Sequence, residues 1–320
     1  MNTLRPVIVG YGHAGRDLHH RSLRALGLAD DVLVVDPVHR AGVPDGARRL
    51  PDLASAMALL PDVSAGVFHV TTSVDQHLPV TEQLVAAGAR NIIVEKPITN
   101  TLEQAVEMHR LAERARIHAV SVWPVSRVTE RVTELIAQGR IGTLVKLHVE
   151  QSKPRFRRTL CDRGHRTAFH IEMPHQVLLA LHLAGAVDHI ADTHAWDSPL
   201  PECVGGAEMV LRHTNGVTST LHSDLTSPIR IRRLRLTGTT GEIVADYSVS
   251  ADDDFGQVRV IGDDREVLPD APLTRFIELA YAHAAGQAPP PPAPLASHVS
   301  VISLLTQAMS ITNSERTVPC

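Results

Sequence analysis

Near its first residues the chain has a short apolar run that leads directly into a glycine-rich turn. Residues 7–9 (Val-Ile-Val) have the composition of a buried strand, and residues 10–15 follow the spacing G-x-G-x-x-G. In such a turn the first glycine permits the sharp bend, the second lets phosphate oxygens approach the backbone, and the third lets the next helix pack against the strand. The pattern therefore predicts a site for the pyrophosphate of a dinucleotide.

The residues that follow the turn indicate which dinucleotide to expect. A helical pattern at residues 16–26 leads into a second apolar strand, residues 32–35, which ends at Asp36. A carboxylate about twenty residues beyond the last glycine accepts hydrogen bonds from the ribose hydroxyls and repels a 2′-phosphate. We therefore expect NAD rather than NADP, and the nearby His39 and Arg40 would weaken that preference if they turned inward.

The composition excludes several classes of protein. The 320 residues are 43% hydrophobic and 21% charged with a formal net charge of −4, which argues against nucleic acid as the main partner. No apolar run approaches the roughly 20 residues of a membrane-spanning helix. Cys161, Cys203 and Cys320 are far apart and form no C-x-x-C pair, so we expect a reducing, cytoplasmic location.

Strand and helix patterns alternate over residues 1–122. Repeated β-α units of this kind predict a doubly wound parallel sheet, the Rossmann arrangement, whose ligands lie at the carboxyl ends of the strands. The expected strands are residues 7–9, 32–35, 66–70, 91–94 and 118–122, and the expected helices are residues 16–26, 53–60, 78–88 and 101–115.

The pattern changes over residues 123–320, which we assign to a second domain for substrate binding and oligomerisation. Strands follow one another with few helices between them, which predicts an open-faced, mainly antiparallel α+β sheet. The expected strands are residues 143–151, 189–196, 206–213, 216–224, 230–237, 242–246 and 257–261, and the expected helices are residues 125–139, 174–184 and 297–309.

A lysine at the end of a predicted Rossmann strand is the second chemical signal. Glu95, Lys96 and Pro97 follow the strand at residues 91–94. Pro97 restricts the backbone of the residue before it, so the Lys96 ammonium is directed rather than freely mobile. Beside a substrate hydroxyl, this ammonium stabilises negative charge that develops on the oxygen.

These motifs together resemble the glucose–fructose oxidoreductase / inositol dehydrogenase / rhizopine-catabolism family (Gfo/Idh/MocA). The resemblance is carried by the glycine turn, by residues 71–77 (Thr-Thr-Ser-Val-Asp-Gln-His), by residues 94–98 (Val-Glu-Lys-Pro-Ile) and by the closing helix at residues 299–310. It implies NAD(P)-dependent hydride transfer to or from sugars and cyclitols. It also implies homodimers or homotetramers built on the open sheet face.

The resemblance also implies a catalytic histidine at the start of the second domain's apolar helix, with an aspartate four positions earlier. His175 occupies the histidine position, but Ile171 stands where the aspartate is expected, and an acid appears one residue later as Glu172. Two hypotheses follow: Glu172 orients the imidazole, or it binds a cationic amine of the substrate. Pro174 suits the first position of the helix.

The candidate residues fall into two sets. We expect the dinucleotide to contact Gly10, Tyr11, Gly12, His13, Ala14, Gly15, Asp36, Thr71, Thr72, Ser73, His77, Glu95 and Lys96. We expect the substrate to contact Lys96, Arg163, His165, Glu172 and His175, with the arginine-rich loop at residues 153–166 lining the pocket and Asp162 as a second acid for an amine.

Histidines are frequent in residues 165–194, a composition that can indicate a metal site. Steps of five residues do not place imidazoles on one helix face, and no H-E-x-x-H pattern is present, so no metal is expected. The leading interpretation is an NAD-dependent dehydrogenase of a sugar, aminosugar or cyclitol. The alternatives are a reductase of another C=O or C=N substrate and a non-catalytic dinucleotide-binding sensor.

Overall fold

A computed structural model describes residues 4–37, 42, 44, 46–161, 167–200, 203–250 and 253–316. Six residues named in the sequence analysis lie outside this part: His39, Arg40, Asp162, Arg163, His165 and Cys320. The chain divides into two compact units. Unit 1 comprises Met1–Val122 and Pro272–Val299, and unit 2 comprises Trp123–Ala271 and Ser300–Cys320.

Unit 1 is built on a parallel sheet of six strands in the order β3-β2-β1-β4-β5-β6. This sheet confirms the predicted doubly wound arrangement. Strands β2, β4 and β5 are buried along their whole length, because helices cover both faces and leave no exposed side for polar residues. The strands are β1 (Arg5–Val9), β2 (Val32–Val35), β3 (Ala47–Leu50), β4 (Gly66–Val70), β5 (Asn91–Val94) and β6 (Arg116–Ala119).

One helix of unit 1, which begins at Pro272, was not predicted by the sequence patterns. A π-helical segment, Ala14–His20, continues as α1 (Arg21–Ala25), and α2 (Leu53–Met57), α3 (His77–Ala86) and α4 (Leu102–Leu111) follow. Helix α9 (Pro272–Ala284) packs against α1. The sequence-based boundary at residue 122 is also a boundary of the compact units, but residues 272–299 return to unit 1, because Phe276, Ile277 and Ala280 form a buried face.

Unit 2 contains an eight-stranded sheet in the order β14-β13-β12-β11-β7-β10-β9-β8. As predicted, the pairings are mainly antiparallel, and the exception is the parallel pair of β7 with β10. The strands are β7 (Leu144–Ser152), β8 (Val187–Trp196), β9 (Gly206–His213), β10 (Thr218–Asp224), β11 (Ile231–Gly238), β12 (Glu242–Asp246), β13 (Phe255–Val260) and β14 (Glu266–Pro269). Strands β3 and β14 were not anticipated, since neither alternates clearly between apolar and polar residues.

Helices cover one face of the eight-stranded sheet. On that face Leu147, Val149, Leu221 and Leu234 are fully or almost fully buried, whereas the neighbouring Lys146 is exposed on the opposite face. Besides α9, the helices that follow residue 122 are α5 (Arg127–Ala137), α6 (Phe156–Cys161), α7 (Ala168–Ile171), α8 (Met173–Ala184) and the closing α10 (Leu295–Arg316).

Helix α10 is long and apolar enough, by length and composition only, to match a membrane-spanning segment. The stretch Leu295–Thr312 has a mean hydropathy of 1.3, and a third of it is buried inside the fold. Its polar residue His298 is buried and hydrogen-bonded at 2.8 Å to the Ser121 hydroxyl within unit 1. A helix of this kind is also found in protein cores, so the match is weak evidence for a membrane.

Candidate active site

The glycine turn joins β1 to the π-helical segment, and each glycine meets different surroundings. Gly10 has a φ of +93°, and a Cβ there would lie 2.8 Å from the amide nitrogen of Thr72. A Cβ on Gly15 would lie 2.2 Å from the carbonyl oxygen of Gly10, so packing of the backbone excludes any side chain. A Cβ on Gly12 would meet nothing within 4 Å. The chain's own packing does not require glycine at position 12, which fits a cradle whose space a phosphate group fills.

Asp36 lies at the carboxyl end of β2, next to this turn. The Tyr11 amide donates a hydrogen bond of 2.7 Å to Oδ2 of Asp36, which ties the carboxylate to the glycine turn. The Tyr11 side chain points away into the helix, where its hydroxyl contacts Nδ1 of His20 at 2.6 Å. Tyr11 therefore contributes its backbone to the turn, while His13 and Ala14 begin the helical segment.

The loop after β4 and the turn after β5 are held together by His77. Its Nδ1 lies 3.0 Å from the Pro97 carbonyl and its Nε2 lies 3.2 Å from the Thr72 carbonyl. Burial lowers the pKa of His77, although these carbonyls act in the opposite direction. The Thr71 hydroxyl donates to the Gly10 carbonyl at 2.6 Å, and the Thr72 hydroxyl is buried without a partner among the described residues. An unpaired hydroxyl at the carboxyl ends of the strands fits a donor or acceptor for the dinucleotide.

Glu95 and Lys96 stand at the end of β5 on the same edge of the sheet. The Lys96 amide donates a hydrogen bond of 2.9 Å to Oε2 of Glu95, and Nε2 of His19 lies 2.9 Å from Oε1. Burial alone would raise the pKa of Glu95, but the His19 hydrogen bond and the charges of His19 and Lys96 outweigh it and lower the pKa. The carboxylate thus stays ionised and fixes the backbone from which the half-buried Lys96 side chain extends.

A continuous hydrogen-bonded chain extends from Glu95 into the core of unit 1. Nδ1 of His19 lies 2.8 Å from Nδ1 of His69, and Nε2 of His69 lies 3.0 Å from the Tyr281 hydroxyl. Burial holds the pKa of His69 well below its usual value, so this imidazole is neutral. The three contacts are satisfied when Tyr281 donates to His69, His69 to His19 and His19 to Glu95, because each contact then has one donor and one acceptor.

Sequence reasoning missed His19, His69 and Tyr281 as supports of this site. A signal existed for His69, which interrupts the otherwise apolar strand β4 and therefore requires a buried partner. Its partner Tyr281 follows more than two hundred residues later on α9, and no local pattern predicts that pairing.

His175 lies at the start of α8 in unit 2, where the sequence placed it. Its imidazole is stacked on the Trp123 indole, with ring centroids 6.1 Å apart and planes at 13°. Trp123 is also stacked on Tyr247 at 4.9 Å, and the Tyr247 hydroxyl contacts the Thr129 hydroxyl at 2.8 Å. The aromatic stack fixes the plane of the half-buried His175 ring, a role for Trp123 and Tyr247 that sequence reasoning missed.

The acid beside His175 has a different partner from the one that the sequence suggested. Ile171 is buried in the apolar core of unit 2, so the position of the expected aspartate carries no charge. Glu172 is also buried, and its carboxylate forms an ion pair with Lys153 and accepts a hydrogen bond from the Gln151 amide. The ammonium that Glu172 neutralises therefore comes from the chain's own Lys153, in place of the hypothetical substrate amine.

The described ranges contain no arrangement of side chains suited to a metal ion: no three or more His, Cys, Asp or Glu residues are grouped to hold one.

Two family models match the chain. A model described as an oxidoreductase family with an NAD-binding Rossmann fold matches residues 4–122, and the GFO/IDH/MocA C-terminal domain model matches residues 129–244. A curated relative, the uncharacterized oxidoreductase YdgJ of Escherichia coli strain K12, is 26% identical over 166 residues. That match covers 51% of this chain and 46% of YdgJ, so the chain spans about half the length of this relative.

Solved structures share the fold at low sequence identity. The UDP-N-acetylglucosamine 3-dehydrogenase GnnA from Acidithiobacillus ferrooxidans is similar with a TM-score of 0.77 at 21% identity, over 98% of this chain and 99% of that chain. An Agrobacterium radiobacter oxidoreductase in complex with NAD⁺, L-tartaric acid and magnesium gives a TM-score of 0.77 at 15% identity, over 98% of this chain and 97% of that chain.

The parallel sheet, the glycine turn and the matched models define an oxidoreductase with an NAD(P)-binding Rossmann domain. The chain belongs to the GFO/IDH/MocA family, which confirms the resemblance drawn from its sequence motifs.

Alanine at Gly12 and at Gly15 should separate ligand binding from folding. Gly12→Ala should leave stability nearly unchanged and weaken NAD binding about tenfold or more, equivalent to about 1.4 kcal/mol, because the methyl group occupies open space at the turn. Gly15→Ala should lower the free energy of unfolding by about 1–3 kcal/mol through overpacking. Urea unfolding and calorimetric titration with NAD measure the two effects, and equal stability losses in the two variants would contradict the assignment.

Substitutions in the hydrogen-bonded series of Glu95, His19, His69 and Tyr281 should lower the free energy of unfolding by different amounts. His19→Leu leaves the buried Glu95 carboxylate without its imidazole partner and should cost about 3–5 kcal/mol. Tyr281→Phe removes one neutral hydrogen bond and should cost about 0.5–1.5 kcal/mol. The control His109→Leu changes an exposed imidazole and should stay within about 0.5 kcal/mol of the parent protein. Urea denaturation measures the free energy of unfolding of the three variants. If His19→Leu lowered it no more than the control, the role of His19 as the partner of Glu95 would be refuted.

Proposed function

We propose that this protein is an NAD-dependent dehydrogenase or reductase that acts on a secondary alcohol or ketone of a sugar, aminosugar or cyclitol. The observation that carries the proposal is a pair of groups suited to alcohol chemistry: Lys96, anchored through Glu95 at the strand ends of unit 1, and His175, held against Trp123 in unit 2. The likeness to a fold whose solved members include a UDP-N-acetylglucosamine 3-dehydrogenase supports the substrate class.

In the proposed mechanism the two side chains act on one substrate oxygen. His175 accepts the hydroxyl proton during oxidation and returns it during reduction. Lys96 donates a hydrogen bond to the same oxygen and stabilises its negative charge. A bound nicotinamide supplies the acceptor or donor of hydride. The Glu95 carboxylate keeps the Lys96 backbone in place, and the Trp123 ring limits rotation of the imidazole.

A second candidate is a reductase of a non-sugar C=O or C=N substrate. Ile171 supports this alternative, because an apolar side chain stands where the family resemblance implies an aspartate. Screening sugars, aminosugars and inositols against other carbonyl and imine substrates, with NADH absorbance at 340 nm as the readout, separates the two candidates. The non-catalytic sensor receives less support, because Lys96 and His175 are both present.

We also propose a homodimer or homotetramer that forms through the open face of the eight-stranded sheet, in the cytoplasm. Among the described residues no helix covers this face, and charged cross-strand pairs such as Arg233–Asp246, at 2.7 Å, lie on it. The free Cys203 thiol is compatible with a reducing compartment. Sedimentation of the purified protein tests the oligomeric state.

Alanine substitution of either proposed catalytic residue should slow the reaction. Lys96→Ala and His175→Ala should each lower kcat by about 10²-fold or more, because each group acts on the reacting oxygen, while NAD affinity changes little. The exposed Arg110 on α4 provides a control for the loss of a cation away from both sites, and Arg110→Ala should keep the parent kcat. Initial rates of NADH formation report the result, and near-normal turnover in both test variants would refute the catalytic assignment.

Replacement of Asp36 should change the choice of cofactor. Asp36→Ala removes a carboxylate that accepts from the ribose 2′-hydroxyl and repels a 2′-phosphate, so affinity should shift from NAD toward NADP. Asp36→Asn is the informative companion, since it keeps the acceptor for the Tyr11 amide and removes only the charge. Titration of each variant with NAD and NADP measures the ratio, and an unchanged ratio would show that Asp36 does not face the ribose.

A further inference from the structure

Positive charge is concentrated at the end of the eight-stranded sheet that carries His175. We call Lys153, Arg155, Arg230 and Arg232 the basic cluster. Lys153 and Arg155 follow β7, and their amides donate to the carbonyls of residues 224 and 225 at the end of β10, at 2.9 and 3.0 Å. Arg230 and Arg232 stand at the start of β11, which runs antiparallel to β7. The sheet therefore brings both pairs of cations to one end.

The cluster surrounds a single buried carboxylate. Glu172 pairs with Lys153 and accepts from the Gln151 amide. Arg232 stands directly opposite Gln151 in the β7–β11 ladder, so the two side chains share the helix-covered face of the sheet. The Lys153 side chain is 17% exposed, against 7% for Glu172, so Lys153 has the more accessible side chain of the pair.

The charges of the basic cluster change the pKa values of its members. Burial lowers the pKa of the Lys153 ammonium; Glu172 raises it, and Arg232 and Arg155 lower it further. Burial also lowers the pKa of Arg232, again against the effect of Glu172, and Arg230 adds to the lowering. One carboxylate is thus shared by two desolvated cations with two more nearby. An added anion at this place would relieve the repulsion.

The cluster is connected to the proposed catalytic histidine within unit 2. The Tyr247 amide donates to the Arg232 carbonyl at 2.9 Å, which places these residues side by side on neighbouring strands. Tyr247 is stacked on Trp123, and Trp123 on His175. A cavity of about 440 Å³ is lined in part by Arg230, Arg232 and Tyr247 and also by the carboxylates of Asp246 and Asp253, and its described lining does not include Lys153. A volume of this order suits a small ligand.

We propose that the basic cluster is an anion-binding subsite, and that the substrate is an acidic or phosphorylated sugar or polyol whose carboxylate or phosphate group binds Lys153 and Arg232. This inference deepens the proposed function and rests on it. Glu172 keeps Lys153 charged and in place when no substrate is bound. The guanidinium of Arg232 supplies the planar donors that carboxylates and phosphates prefer.

Calorimetric titration of the full chain, saturated with NAD, tests the subsite. The probes are L-tartrate for a carboxylate and inorganic phosphate for a phosphoryl group. The Lys153→Met/Glu172→Gln double variant removes both charges of the ion pair, so neither partner of that pair is left buried without the other. Its affinity for the better-bound probe should fall about tenfold, and Arg232→Met should behave likewise. The control Arg110→Met removes an exposed cation on α4, as Arg232→Met removes one of the cluster, and should keep the parent affinity.

The outcome separates this inference from the proposed function. Tighter binding of tartrate would assign a carboxylate substrate, and tighter binding of phosphate a phosphorylated one. No measurable binding of either probe, an unchanged affinity in the double variant, or an equal loss in Arg110→Met would overturn the subsite. NADH formation from neutral sugars alone, with those results, would leave the proposed dehydrogenase in place and remove only its acidic substrate.

Discussion

The buried carboxylate of Glu95 is the constraint on which the rest of unit 1 depends. An ionised carboxylate at the end of an interior strand is unfavourable unless its oxygens receive hydrogen bonds. The Lys96 amide and His19 supply them, and His19 in turn is bonded to His69 and through it to Tyr281. This hydrogen-bonded series forms only when four elements are in place: β5, the π-helical segment, β4 and α9.

This network explains why a late helix belongs to the dinucleotide-binding unit. Helix α9 covers α1 with apolar residues, but Tyr281 also brings the hydroxyl that ends the buried polar chain. Without that hydroxyl His69 would have an unsatisfied nitrogen inside an apolar strand. The position of Lys96 therefore depends on residues nearly two hundred positions away, through the carboxylate beside it.

In unit 2 an aromatic ring positions the His175 imidazole. His175 lies against the Trp123 indole, and Ile171 occupies the place of the aspartate implied by the family. The nearby acid, Glu172, serves Lys153 instead. Different side chains therefore orient the imidazole, through an aromatic surface, and neutralise the nearby cation.

The sequence alone determined the features that depend on local pattern. The apolar strand, the spacing of Gly10, Gly12 and Gly15, and the position of Asp36 were sufficient to predict the Rossmann sheet, because Gly10 and Gly15 meet steric needs of one turn and Gly12 leaves room for a phosphate. Alternation of apolar and polar residues predicted the second sheet, because successive side chains of a strand lie on opposite faces. Only the tertiary structure decided that Glu172 pairs with Lys153, that Trp123 stacks on His175, and that α9 returns to unit 1. These contacts join residues far apart in the chain, and their free energy comes from burial and charge pairing that no local window of sequence contains.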